Sequence, residues 1–187
     1  MASLPDVEPR PISVAEYHRM IDAGILSEDE RVELLEGVIV KVSPQGDPHA
    51  LVIERLNKVL VRQLPDRYRV RPQLPLPLGD RSEPEPDLAV SLAEVSTAKQ
   101  HPRTALLVIE VAGESLRKDR RVKARIYARA GIPEYWLVNL DESCLEVFTE
   151  PESEAGEYRQ RTLLARNATA RSSAVPELLV PLAEVFD

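Results

Sequence analysis

Two carboxylates and one lysine stand where they could do chemistry together in this 187-residue chain. Asp87 opens the short apolar stretch Leu88-Ala89-Val90, behind the proline-braced segment Glu83-Pro84-Glu85-Pro86. Glu110 directly follows Leu106-Leu107-Val108-Ile109, which is apolar on both faces and reads as a central strand covered on both sides. Carboxylates brought together on adjacent strands repel unless a cation or a shared proton lies between them. An oxygen-only pair suits Mg²⁺ or Mn²⁺, and magnesium takes one or two protein carboxylates together with water and substrate phosphate. Lys123 sits in a helical segment next to Val122, near Ile126, so a lysine borders a buried face. Asp87, Glu110 and Lys123 together would make a phosphodiester-hydrolysing site. Its metal would polarise a phosphoryl oxygen and acidify a bound water. Its lysine would either neutralise developing charge or orient the water, and both roles stay open. Ordinary alternatives exist: Asp87 solvated at a strand end, and Glu110 buried against an arginine, because a buried carboxylate without a partner is costly.

The helix that carries Lys123 is strongly basic. Residues 117–129, RKDRRVKARIYAR, hold seven of the 24 Lys/Arg and one acid, a local charge of +6 in a chain of −7 overall. Such asymmetry suits a polyanion met at one place rather than over the whole surface. Arg117, Arg121 and Arg125 step by four along one outer stripe that Arg129 extends, while Asp119, Lys123 and Tyr127 form a second row. A basic stripe can also be no more than a solvated face.

Other chemistry is poorly supplied. His18 and His101 read as structural or exposed, and His49 begins a helix after a turn, where capping or packing is as good an account as a role in the site. Cys144 is the single cysteine, so it forms no internal disulfide, and no base stands near it in sequence. Among seven glycines there is neither GxGxxG nor a P-loop. Aromatics at 4% weigh against a stacking platform for single strands, and pI 5.2 against a generally polyanion-binding surface. No apolar run reaches the ~18–20 residues of a membrane span, and MASLPDVEPRP lacks a signal peptide's regions. A reduced, cytoplasmic, single-domain protein is expected.

The elements that must position these residues follow from periodicity. Residues 1–11 read as a loose arm and 12–187 as one domain. Ser13 and Glu16 have capping-box spacing for a short helix to about Ala23, ended near Gly24. A second helical turn is expected at Asp29–Leu35, closed by Gly37, then a strand through Val38–Val42 and a turn at Ser43–Pro48. Val52, Leu56, Val59, Leu60 and Leu64 share one face of a helix from His49 to Leu64. Six prolines in 65–86 permit only short or edge strands. A polar connector follows at Ser96–Arg103. A helix at 117–130, stopped by Gly131-Ile132-Pro133, precedes the buried strand Tyr135–Val138 and a hairpin partner at Leu145–Thr149. After Pro151 the pattern weakens, with short edge elements at Thr162–Leu164 and Leu178–Leu182. The order implies an α/β fold, a mixed sheet flanked by helices.

The run Glu110-Val111-Ala112, Ser115-Leu116, Asp119-Arg120, Lys123 and Tyr127-Ala128-Arg129-Ala130-Gly131-Ile132-Pro133-Glu134-Tyr135-Trp136 resembles the Uma-type endonucleases of the PD-(D/E)XK, restriction-endonuclease-like superfamily. Glu33-Leu34-Leu35-Glu36-Gly37, Ser43-Pro44 leading to His49, and Glu85-Pro86-Asp87-Leu88 extend the similarity across about 12–187. The resemblance implies a central mixed sheet with a divalent-metal site at Asp87 and Glu110. The superfamily's lysine usually lies two residues after the glutamate; here Ala112 stands there, and Lys123 matches a lysine relocated to the following helix. By the same resemblance Glu33, on an N-terminal helix, completes the metal shell; His49, Ser115, Asp119 and Tyr127 are candidates for a second row around the ligands. Departures are Gly113-Glu114 in the loop after Glu110, Lys118 where an aromatic is frequent, and Glu36 for a common aspartate.

The leading functional expectation is a Mg²⁺- or Mn²⁺-dependent DNA endonuclease, with Arg117, Arg121 and Arg125 on the nucleic acid. Two alternatives use the same fold without catalysis: a nucleic-acid-binding module, and an oligomeric interaction protein docking through Leu178-Leu179-Val180 and Val185-Phe186. A homo-oligomer is expected.

Overall fold

A computed structural model describes residues 9–27, 29–42, 46–95 and 100–186. Most of the expected N-terminal arm, Ser43-Pro44 and the first half of the 96–103 connector lie outside the described residues. The chain runs α1 (Val14–Asp22), β1 (Val32–Leu35), β2 (Val38–Lys41), α2 (Asp47–Gln63), β3 (Tyr68–Pro72), β4 (Leu88–Leu92) and β5 (Leu107–Ala112). Then come α3 (Leu116–Lys118), a π-helical turn (Asp119–Lys123), α4 (Ala124–Arg129), β6 (Glu134–Asn139), β7 (Cys144–Glu152), β8 (Glu157–Ala165), β9 (Thr169–Arg171), β10 (Leu179–Pro181) and α5 (Ala183–Phe186).

Six strands form one mixed sheet in the order β3-β4-β5-β6-β7-β8, parallel between β5 and β6 and antiparallel elsewhere. The parallel pair requires a crossover, and the helical run 116–129 supplies it. Period-two alternation then decides which side chains can meet the crossover. Leu107, Ile109 and Val111 of β5 join the core beneath α2, with Val52, Leu56 and Leu60. Val108 and Ala112 join the opposite core, with Ile126 and Tyr127 of α4. Glu110 shares their parity and therefore faces the crossover helices. On β4, Leu88 and Val90 face α2 while Ala89 faces the crossover, which puts Asp87 on the same side as Glu110.

α1 has the expected capping box between Ser13 and Glu16. The expected helical turn over Asp29–Leu35 is instead strand β1, paired to β2 with Leu35 opposite Val38. The two-residue loop Glu36-Gly37 has positive φ at both positions (50° and 80°), the requirement of a type I′ hairpin turn. Gly37 is also a contact: a Cβ there would come within 2.5 Å of the Pro11 Cβ. Adjacent leucines gave the stretch its helical look, but Leu34 packs toward α1 and Leu35 toward the crossover helices, as alternation in a doubly covered strand requires.

Two further expectations are corrected. The single helix over 117–130 is a run interrupted by a π turn, in which the Ala124 N–H reaches back to the Asp119 carbonyl. The C-terminal half holds more strand than alternation suggests, because nine-residue β8 is an edge strand with a largely exposed, polar surface. Pro151 is tolerated within β7 because the β6 ladder has already ended at the Thr149 pair, so its missing N–H breaks no bond on that side.

Candidate active site

The hairpin β1–β2 docks on the proline-braced segment before β4. The Glu83 N–H donates to the Leu34 carbonyl at 2.7 Å, and the Glu85 N–H to Glu33 Oε1 at 3.3 Å. That docking brings Glu33 to the crossover side of the sheet, over the β4–β5 pair. A cavity of about 350 Å³ opens there, lined by Glu33, His49, Asp87, Glu110, Ser115, Lys118, Asp119 and Lys123 among others.

Lys123 Nζ is the hub. It donates to Glu110 Oε1 at 2.8 Å and to Glu33 Oε1 at 2.9 Å, and all three side chains are buried. Tyr127, one helical turn on and fully buried, donates its hydroxyl to the same Glu110 oxygen at 2.5 Å. Asp87 is held differently. Its Oδ2 accepts the Val111 N–H at 2.8 Å and lies 3.2 Å from His49 Nε2 at the start of α2. Glu33 Oε2 is buried and without a hydrogen-bond partner among the described residues; Lys118 Nζ stands 3.9 Å away.

The electrostatics follow from burial against mutual charge. Burial pushes the Glu110 carboxyl above the ordinary carboxylate range; Lys123 opposes this, and Asp87, Asp119 and Glu33 add to it. Burial alone would depress Lys123, yet Glu110, Glu33 and Asp119 outweigh it and raise its ammonium above the ordinary lysine value. Two donors, the Lys123 ammonium and the Tyr127 hydroxyl, converge on Glu110 Oε1, which therefore acts as an acceptor. Burial also raises Asp119, against Lys123 and a hydrogen bond from Ser115. His49 is raised by Asp87 despite its burial.

All four residues read from the sequence as catalytic candidates, Asp87, Glu110, Lys123 and Glu33, therefore line one cavity, and so do His49, Ser115 and Asp119. Glu33 arrives on a strand rather than on the expected helix. Tyr127 touches Glu110 from behind. The arginine stripe does not lie in this cavity. Arg117, Arg121 and Arg125 line a neighbouring groove between the crossover helices and the β7–β8 hairpin, and Arg125 is tied to Glu36. Lys118 was missed as a site residue; its position beside Asp119, with two cations of the basic run following, was the available signal.

Among the described residues no three His, Cys, Asp or Glu side chains form a ready metal cage. The donor chemistry nonetheless fits a hard cation. Asp87 and Glu110 offer oxygen only, and two protein carboxylates are what Mg²⁺ takes when water and phosphate complete its shell. Glu33 adds a buried oxygen that has no hydrogen-bond partner among the described residues.

A family model described as "Putative restriction endonuclease", Uma2, matches residues 14–183. The chain belongs to the Uma2 family. A protein from Anabaena variabilis ATCC 29413, described as "a putative nuclease belonging to DUF820", shares the fold, with a TM-score of 0.69 at 19% identity over 94% of this chain and 98% of that one. The type IIG restriction endonuclease BpuSI matches at a TM-score of 0.39 and 22% identity over 55% of this chain and 11% of that one, too low to argue from. No curated protein matches the sequence. The Uma2 match spans every element of the cavity, from hairpin β1–β2 to the crossover helices. No helix among the described residues is long and apolar enough to cross a membrane.

Proposed function

We propose that this chain is a divalent-metal-dependent endonuclease that hydrolyses DNA phosphodiester bonds. The observation that carries the reading is the convergence of Lys123 Nζ on Glu110 and Glu33, 2.8 and 2.9 Å away, in the cavity that Asp87 also lines. Asp87 and Glu110 would hold Mg²⁺ or Mn²⁺, with Glu33 beside them. When bound, that cation would polarise the phosphoryl oxygen and lower the pKa of a coordinated water. Lys123, charged and buried, would stabilise the negative charge that develops on the phosphoryl oxygens in a site screened from water. The Val111 N–H and His49 fix the Asp87 carboxylate, and Tyr127 fixes Glu110. Arg117 and Arg121 would contact the DNA backbone, while Arg125 is held by Glu36. Residues 12–187 would act as one domain, in a cytoplasmic homo-oligomer.

Incubating supercoiled plasmid with wild type and Glu110→Gln, in Mg²⁺, Mn²⁺ or EDTA, tests the reading. Metal-dependent nicking by wild type, lost in a folded variant, is expected. Absence of nicking in every metal condition would favour the alternative, a non-catalytic interaction or nucleic-acid-binding protein on this fold. One observation leans that way: Lys123 already pairs with two of the carboxylates.

A further inference from the structure

The basic residues around the crossover helices fall into two classes. Arg120 and Arg161 both engage Glu146, a fully buried carboxylate on β7. Arg125 and Arg129 both engage Glu36 at the hairpin turn. These four are occupied in holding β7, β8 and the β1–β2 hairpin to the helices. Arg117 and Arg121 are exposed and have no ion-pair partner among the described residues. Both line the groove of about 910 Å³ bounded by the crossover helices and by Phe148, Tyr158 and Arg161 of the β7–β8 hairpin. Both also line an adjoining hollow with Gly113, Leu116 and Arg120.

This groove is contiguous with the candidate active site. Lys118 and Glu114 line both. Glu114, Asp141 and Glu157 are the acids on the walls of the groove and hollow. Glu146 and Glu36 are each shared between two guanidinium groups, so neither cancels Arg117 or Arg121. A chain of cations, Lys118 to Arg117 and Arg121, therefore leads away from the Asp87 and Glu110 cavity into the groove.

We infer that this groove is the track for the DNA backbone beside the scissile phosphate, with Arg117 and Arg121 as its phosphate contacts and Arg120, Arg125 and Arg161 as structural residues outside the contact set. The inference rests on the nuclease reading for the identity of the polyanion, and it divides the basic helix into binding and structural residues where the sequence shows one stripe. Free guanidinium groups release counterions from DNA when they bind, so each such contact contributes about one unit to the slope of log K against log salt.

The test is fluorescence anisotropy with a labelled DNA duplex of about 20 base pairs, in EDTA, from about 20 to about 200 mM KCl. The proteins are wild type, Arg117→Ala/Arg121→Ala, and the control Lys58→Ala/Arg62→Ala, which removes the same charge from exposed positions of α2 on the opposite side of the sheet. The groove variant should bind more weakly with a slope reduced by about two, while the control keeps the wild-type slope. An unchanged slope in the groove variant, an equal loss in the control, or no duplex binding by wild type would each overturn the inference. Metal and cleavage play no part in this readout. Slope loss with no plasmid nicking would keep the track and sink the nuclease; nicking with an unaffected slope would do the reverse.

Discussion

Lys123 Nζ lies 2.8 Å from Glu110 Oε1, although the glutamate stands on strand β5 and the lysine thirteen residues on, in the crossover helices. The side chain comes from the last residue of a π-helical turn, Asp119–Lys123. A π turn inserts extra backbone into a helix, and such insertions are frequent at functional sites. Here Asp119 and Lys123 are both buried against the sheet, while Arg117 and Arg121, in the same run, stay in solvent.

Removing that ammonium should be costly in stability. Lys123→Ala would leave Glu33 and Glu110 facing each other in a buried cavity with no cation between them. Breaking one partner of a buried ion pair costs about 3–5 kcal/mol. Urea denaturation should show that loss, and Glu33→Gln/Lys123→Met should recover part of it by removing a charge from each side. A double variant whose loss equals the sum of the Glu33→Gln and Lys123→Met losses would mean that the Glu33 contact carries no coupling.

Tyr127 offers a separate handle on Glu110. Tyr127→Phe deletes only the hydroxyl that donates to Glu110 Oε1 and leaves the ring, packed 5.1 Å from Tyr135, in place. A hydrogen bond to a charged acceptor is worth about 1.5–3 kcal/mol, so stability should fall within that range. If Glu110 is positioned by this contact, the cleavage rate at saturating DNA should also drop while duplex affinity stays at the wild-type value. Wild-type turnover in a destabilised variant would restrict Tyr127 to packing.

The sequence made Asp87, Glu110 and Lys123 legible for physical reasons. An apolar run leads straight into Glu110 and forces it against the interior, whereas Asp87 read also as a solvated strand end and Lys123 as a lysine bordering a buried face. Glu33 was recovered only by resemblance, and on the wrong element, because two adjacent leucines carry no period until both faces of the hairpin are known to be covered. β8 was largely missed because an exposed edge strand need not alternate. Glu134 and Glu146 carried the same signal as Glu110, an acid inside a buried strand. Their partners lie far off in sequence, at Ser172–Ala174 and at Arg120 and Arg161, so their roles could not be read.

The hairpin turn should give the protein an acid-sensitive increment of stability. The hydrogen bond from Arg125 to Glu36, aided by the charges of Arg125 and Arg129, lowers the Glu36 pKa against a smaller opposing effect of burial. A carboxyl depressed in the folded state contributes stability above its unfolded pKa and loses it as pH falls through the folded value. Glu36→Gln keeps the shape of the side chain and removes that term. At pH 7 the variant should be less stable by about 1 kcal/mol, because these groups are partly exposed and screened. The gap should close as pH drops below the ordinary carboxylate range. A difference that stays constant with pH would assign the loss to geometry at the turn instead of charge.

Glu134 should be among the costliest positions outside the cavity. It is fully buried, and its Oε1 accepts the Trp136 indole N–H at 2.6 Å. Its Oε2 accepts the Ser172 and Ser173 hydroxyls and the Ser173 and Ala174 N–H groups at 2.8–2.9 Å. One carboxylate thus pins the segment between β9 and β10 onto the sheet, beneath the core that includes Ala170, Val175, Leu178 and Val180. Glu134→Gln puts an amide where one oxygen stood. If it replaces Oε2, its own N–H groups face two backbone donors that cannot reverse; if it replaces Oε1, it faces the indole donor. Either orientation strands a buried donor, at about 1–3 kcal/mol for each group left unsatisfied. Amide exchange at Ser173 and Ala174 should accelerate more than exchange in β5, since local opening precedes global unfolding when a single tie is cut. Uniform acceleration across the chain would show that this segment unfolds only with the whole domain.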